Sequence, residues 1–219
     1  CPPRLPISEE EIQQQLDRRR PGQSHLTTPR KESDTVSILS GVENGLTLGT
    51  PIVLAIPNSD QYPKDYGHLG NIPRPSHADY TYQEKYGIRD YRGGGRSSAR
   101  ETACRVVAGS IAKQILNTFN IEFSTYVDQI GSIRLNDPAF FHYDAIESNP
   151  VRCPDGEKAK EMEARIKEVQ AEGDSLGGII EAAVFGCPIG LGEPLYNKLD
   201  AALSHAIMSI PAIKGIEIG

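Results

Sequence analysis

Residues 36–56 read VSILSGVENGLTLGTPIVLAI, and the pattern of this stretch decides the class of fold. Val36 to Leu39 and Pro51 to Ile56 are apolar, β-branched runs suited to strands. Between them, Glu43-Asn44-Gly45 carries the Asn-Gly pair that closes a tight hairpin turn. The segment predicts an antiparallel pair.

Upstream, Ser8 stands three residues before Glu11, the spacing of a capping box, and Ile12 and Leu16 follow at i, i+4 until Pro21-Gly22 breaks the pattern. A helix over about residues 9–19 is expected, followed by a basic polar loop over residues 23–31. Downstream, residues 58–95 are rich in Pro, Gly, Tyr, Asp and His and show no sustained period. Six tyrosines there (62, 66, 80, 82, 86 and 91) argue for an ordered, functional loop.

After Ser98 the periodicity becomes helical, with Ala103, Val106, Val107, Ile111, Ile115, Leu116 and Phe119 recurring along a helix over about 99–118. Strands are expected at Ile121 to Val127 and at Ile130 to Ile133. A charged helix at Asp155 to Glu172 should stop at Gly173, and a strand at Gly178 to Phe185 should follow. An amphipathic helix from Leu195 to Ile210 and a final strand from Ile213 to Ile218 complete the reading. Helices and strands are intermixed without a repeated βαβ unit or a nucleotide fingerprint, so the expected fold is α+β with largely antiparallel sheet. A boundary near 134–155 is compatible with the pattern but not required, and residues 1–219 are read as one domain.

Composition narrows the functional classes. A formal charge of −6 disfavours non-specific nucleic-acid binding, although a local basic patch could hold a small anion. No run of 18 apolar residues occurs and the start, CPPRLPISEEE, lacks the regions of a signal peptide, so a soluble intracellular protein with no membrane partner is expected. Cys1, Cys104, Cys153 and Cys187 are far apart and lack zinc-like neighbours, which suggests reduced thiols and no metal site.

Three clusters could carry chemistry. Arg92-Gly93-Gly94-Gly95-Arg96-Ser97-Ser98-Ala99-Arg100 places mobile backbone and cationic side chains at a helix N-terminus, either as a cradle for an anion or cofactor or simply as a flexible loop with a good cap. Arg18, Arg19, Arg20, His25, Arg30 and Lys31 form a basic group, either a solvated surface or a seat for a small, multiply charged acid. Arg74-Pro75-Ser76-His77-Ala78-Asp79 flanks an imidazole with an arginine and a carboxylate, a combination that could position it for proton transfer; a plain surface histidine is the alternative. His68, His142 and His205 lack such company. No Gly-x-Ser-x-Gly elbow, H-E-x-x-H pair or P-loop ending is present.

Several long motifs, in order, carry a resemblance. They are DRRRPGQS-x-x-TTPR at 17–30, SGVENGLTLGTPI at 40–52, RPSHADYTYQEKYG at 74–87, GGGRSSARET at 93–102 and SIPAIKGIEIG at 209–219. Through them the chain resembles the chorismate synthase family over essentially its whole length. The resemblance implies a lyase of aromatic amino-acid biosynthesis that eliminates phosphate from 5-enolpyruvylshikimate 3-phosphate in a 1,4-anti sense to give chorismate, with reduced FMN as cofactor. It also implies a β-α-β sandwich core with surrounding helices and loops, a homotetramer, and a cytoplasmic location, or a plastid one in a plant or alga.

By motif, the resemblance makes His77 the catalytic histidine beside the flavin. It assigns flavin contacts to Arg96, Ser97, Ser98 and Ala99, and to Pro211 and Ala212, where many members have Asn-Ala. It assigns the substrate's phosphate and carboxylates to Arg19, Arg20, Arg74 and Arg100. His25 falls where many members carry an arginine of the substrate site, so a titratable ring replaces a permanent charge. The family's Gly-Glu-Ser-His motif would lie before Cys1 and further flavin contacts after Gly219, so the chain is expected to be an interior portion of a longer enzyme. Two alternatives accompany this reading: an inactive anion-binding or oligomerisation module, and a flavin reductase using NADPH, which lacks a dinucleotide fingerprint to support it.

Overall fold

The computed structural model describes residues 1–28, 32–58, 62–136 and 143–219. The chain divides into two compact units, one built from Cys1–Arg20, Arg30–Gln114 and Pro188–Gly219, the other from Pro21–Pro29 and Ile115–Cys187.

The first unit begins with α1, Glu9–Arg19, whose start is fixed by the Ser8 hydroxyl accepting from the Glu11 amide. Three glutamates fill its first turn and Arg18 and Arg19 its last, the arrangement that complements the helix dipole. Ile12 and Leu16 are its buried stripe. Four short strands follow: β1 (Ser37–Ser40), β2 (Val42–Glu43), β3 (Leu46–Thr47) and β4 (Val53–Ala55). Asn44-Gly45 turns β2 into β3, and β1 pairs with β4 antiparallel, so the predicted hairpin forms as two successive ladders. A second anchor comes from residues near Cys1: Thr47 is buried, its hydroxyl donates to Pro2 O at 2.6 Å, and its amide donates to Leu5 O at 2.9 Å.

The tyrosine-rich stretch contains two elements that the aperiodic reading did not anticipate, a 3-10 helix at Pro63–Leu69 and α2 at Asp79–Tyr86. α2 buries only Asp79 and has no apolar stripe, so periodicity gives no sign of it. A 3-10 turn at Ala99–Glu101 then leads into α3, Thr102–Asn117, which buries Ala103, Val107, Ser110 and Ile111.

In the second unit, β5 (Glu122–Ile130) pairs antiparallel with β6 (Ile133–Arg134) across a turn at Gly131, and with β7 (Gly178–Phe185) along most of its length. The expected pair of strands is thus one long strand and one short one. α4, Gly156–Ala171, is capped by Asp155, whose carboxylate accepts from the Glu157 and Lys158 amides. Tyr126, Leu135, Ile146, Val151, Cys153, Ala159 and Met162 form the core of this unit. Burial pushes the Cys153 thiol up, which keeps it protonated and inert.

The remaining segment of the first unit holds a 3-10 turn at Leu195–Asn197 and α5 at Leu199–Met208, shorter than the single helix expected over 195–210. Residues 213–218 form no strand: their alternating pattern meets no ladder partner among the described residues, and a strand needs one. Every strand pairing among the described residues is antiparallel and helices are interspersed with strands, so the fold is α+β.

Candidate functional site

The tyrosine-rich stretch and the glycine-rich turn meet at His77. Asp79 opens α2 with its carboxylate almost fully buried, and the turn before it wraps Arg74 around that carboxylate. Arg74 donates from its backbone amide and Nε to Asp79 Oδ2, at 3.1 and 2.8 Å, and from Nη2 to Oδ1 at 3.0 Å. His77 Nδ1 lies 2.9 Å from Asp79 Oδ1. The Arg74 hydrogen bonds hold the Asp79 carboxyl far below the usual carboxylate range, outweighing the opposing effect of burial; the same pair raises the arginine.

The other edge of the imidazole faces the glycine turn. Gly93, Gly94 and Gly95 all have positive φ. A methyl group on Gly94 would stand 2.7 Å from His77 Cε1, 2.9 Å from Nε2 and 3.1 Å from Ser97 Oγ, so ring and hydroxyl converge where that side chain would begin. At Gly93 the corresponding direction is open. Ser97 donates its hydroxyl to Gly94 O at 2.6 Å and so tightens the turn, while Ser98 accepts from the Arg100 amide as the cap of the next one. Arg96 projects outward and holds Glu101 through two 3.0 Å contacts, which raise its guanidinium pKa.

A second cluster gathers behind this turn. Arg19, at the end of α1, reaches Asp34 Oδ2 at 3.0 Å, Thr102 Oγ1 at 3.2 Å and Ala99 O at 3.5 Å. Arg100 pairs with Glu32, with Asp34 Oδ1 at 2.9 Å, and donates to Pro57 O at 2.9 Å. Asp34 is thus shared by both arginines, and Gln13 of α1 fixes it by donating to its carbonyl and accepting from the Val36 amide. Burial first, and then the nearby Arg19 charge, push the Arg100 guanidinium down from its ordinary value. Two arginines and two carboxylates balance in charge.

The predicted residues therefore fall into groups. His77 and Arg74 share Asp79, the ring of His77 abuts the turn that carries Ser97, and Arg19 and Arg100 share Asp34. Ala99 contributes its carbonyl to Arg19. Arg20 caps α1 and lies 3.8 Å from Asp17. Pro211 and Ala212 form a turn after α5, with Ala212 at positive φ; Arg105 of α3 ties the preceding Ser209 through its hydroxyl and carbonyl. His25 belongs to the second unit, where Nε2 meets Glu163 at 2.9 Å; the Lys167 hydrogen bond, more than His25, lowers that carboxyl. Arg30, Lys31 and His142 lie outside the described residues.

Sequence reasoning missed Glu32, Asp34 and Arg89. Each is buried beside a predicted arginine or beside Asp79, and the only signal was an acidic pair just after the basic loop. An open groove of about 660 Å³ between α1 and the hairpin, lined by residues such as Gln13, Val36 and Asn44, carries none of the predicted site residues.

A histidine beside a buried carboxylate, against bare backbone, suits acid–base chemistry; the guanidinium groups of Arg19 and Arg100 beside the same turn are held in place by Glu32 and Asp34. The sequence comparisons agree. The family description for chorismate synthase matches residues 1–219, and this chain belongs to the chorismate synthase family. It is 57% identical over 220 residues to the chorismate synthase of Christiangramia forsetii, covering all of this chain and 62% of that protein. It is 55% identical over 221 residues to that of Trichormus variabilis, covering all of this chain and 61% of the relative. A crystal structure of chorismate synthase superposes with a TM-score of 0.79 at 36% identity, over all of this chain and 62% of that one. The chain thus spans 61–62% of the length of these relatives.

Proposed function

We propose that the protein carrying this chain is a lyase that converts 5-enolpyruvylshikimate 3-phosphate to chorismate and inorganic phosphate by 1,4-anti elimination, in aromatic amino-acid biosynthesis. The observation that carries the reading is the convergence of His77 and Ser97 on Gly94, in a chain that matches the family from end to end. In this reaction a C–H and a C–O bond break, the proton leaves to a base and the phosphate departs as an anion. Reduced FMN, when bound, would supply electron density to the substrate's ring as the phosphate departs, with the net reaction redox-neutral.

The glycine run fits such a cofactor. Its backbone is bare at Gly93, an imidazole edge stands beside it at Gly94, and the Arg96 side chain is exposed. Arg96, Ser97, Ser98 and Ala99, with Pro211 and Ala212, would hold the flavin. His77 holds or delivers a proton at Nε2. Arg19, Arg20, Arg74, Arg100 and His25 bind and orient the substrate's acid groups, and cationic N–H donors stabilise the charge that develops on the leaving phosphate. A reductant such as NADPH, acting directly or through another protein, keeps the flavin reduced. A homotetramer in the cytoplasm, with residues 1–219 as one part of a longer polypeptide, completes the proposal.

Chorismate formation with anaerobically reduced FMN tests it, using both the 219-residue chain and the full-length gene product. Absence of product from the full-length protein would falsify the reading. His77→Ala in that protein should lower turnover about 10²–10⁴-fold with little loss of stability, and unchanged turnover would remove His77 from the mechanism. A second reading, an assembly module without catalysis, draws support from the exposed apolar residues of β7. A stable oligomer with no affinity for flavin or substrate would favour it.

A further inference from the structure

Several constraints meet at Asp34. Its side chain has no exposure to solvent, and its backbone is left-handed at φ +44°, a conformation that a residue with a Cβ holds only where its surroundings enforce it. Gln13 of α1 supplies part of that enforcement: its Nε2 donates to Asp34 O at 3.3 Å and its Oε1 accepts from the Val36 amide at 3.0 Å. The carboxylate so fixed stands between two cations. Arg19 Nη1 donates to Oδ2 at 3.0 Å, whereas Arg100 Nη2 lies 2.9 Å from Oδ1 as an ion pair without a hydrogen bond.

Each arginine is also tied to the protein by itself. Arg19 donates from Nε to Thr102 Oγ1 and from Nη2 to Ala99 O, and Arg100 donates from Nη2 to Pro57 O and meets Glu32 at Nη1. The two guanidinium groups repel one another, which is part of what pushes Arg100 below its ordinary value, and a shared carboxylate offsets that repulsion only while it is charged. Both arginine side chains keep some exposure, 23% and 21%, so neither is closed off from a ligand. We infer that Asp34 is a positioning residue, a buried left-handed carboxylate that holds Arg19 and Arg100 side by side beside the 99–101 turn so that both can serve one multiply charged anion. The use of the pair for the substrate's acid groups rests on the proposed lyase reading; the pairing itself does not.

Asp34→Asn separates charge from backbone, because asparagine accepts a left-handed conformation as aspartate does. It offers one acceptor and one donor where the carboxylate offers two acceptors. Arg19 is held by a hydrogen bond and Arg100 by charge, so the amide oxygen stays on Arg19 and the NH2 group turns to Arg100 Nη2. Donor then faces donor, and Arg100 is displaced while Arg19 remains.

Arginine side-chain ¹⁵N spectra of the 219-residue chain read the two groups separately, with Arg19→Lys and Arg100→Lys identifying the signals. Both guanidinium groups should show slowed rotation in the wild type; in D34N, Arg100 should rotate freely and Arg19 should keep its restraint. A freely rotating Arg100 in the wild type would overturn the inference before any variant is made, and so would a folded D34N chain with both groups restrained. In the full-length protein, D34N should raise KM about 10–100-fold with a smaller change in kcat. Loss of folded enzyme alone lowers the apparent kcat and leaves KM where it was, so an unchanged KM would reduce Asp34 to a structural role. A lower KM would mean that Asp34 competes with the ligand, which also overturns the inference. A restrained pair that D34N releases, in a protein that makes no chorismate, would leave the positioning of the arginines standing and sink only the proposed reaction.

Discussion

At the scale of single residues, Asp79 and Gly94 are the two positions on which the candidate site turns. Asp79 is almost fully buried between two arginines. Its carboxyl is depressed in the folded chain by Arg74, so the stability it contributes is present above the unfolded carboxylate value of about 3.9 and is lost as pH falls below it. Asp79→Asn should cost about 3–5 kcal/mol near neutrality by leaving buried guanidinium charge uncompensated. The gap to wild type should narrow in urea titrations carried out at progressively lower pH below that value; a gap that widens in acid would contradict the assignment. Gly94 fails for a different reason. Alanine there needs a left-handed backbone, costing about 1–2 kcal/mol, and its methyl group would also collide with His77. Gly93→Ala bears the backbone cost alone, so urea unfolding should rank Gly94→Ala as the more damaging of the two.

At the scale of elements, what was legible in the sequence follows from where the signal resides. The α1 bounds and the β7 bounds coincide with expectation, because a cap with an i, i+4 stripe marks the first and a run of β-branched and small apolar residues marks the second. The N-cap of α4 was equally plain, and Asp155→Ala should cost about 1 kcal/mol, measurable by thermal unfolding. α2 was not legible. Tyr80 and Tyr86 are exposed and its only buried side chain is a carboxylate, so neither period nor apolarity identifies it. The same limit applies to the site. Local spacing showed His77 with its flanking Arg74 and Asp79, whereas the sharing of Asp34 by Arg19 and Arg100 joins residues 81 positions apart through a tertiary contact that no short window contains.

At the scale of the molecule, the described residues leave apolar groups uncovered. Ile179, Ile180, Val184 and Phe185 of β7 are exposed, and β7 has β5 as its neighbour on one side with no described strand on the other. α5 buries none of its residues. Such an edge favours association of copies. The sedimentation coefficient of the 219-residue chain should therefore rise with concentration, and Ile180→Lys, which puts a charge on the most exposed large apolar residue of β7, should suppress that rise. Identical behaviour of the two chains would locate association elsewhere.

The partition of the chain also fixes an order of birth. The second unit needs nothing beyond Cys187, whereas the first draws on Cys1–Arg20 and on Pro188–Gly219. At ribosomal speeds of about 5–20 residues per second, Pro188–Gly219 follows the second unit within a few seconds of that unit's completion. Arg105, in the helix that follows the glycine turn, acquires Ser209 only in that interval. Arg105 is thus translated 104 residues before its partner Ser209, and a nascent chain halted at Cys187 would hold every glycine of the turn and His77 without the bonds that tie α3 to residue 209.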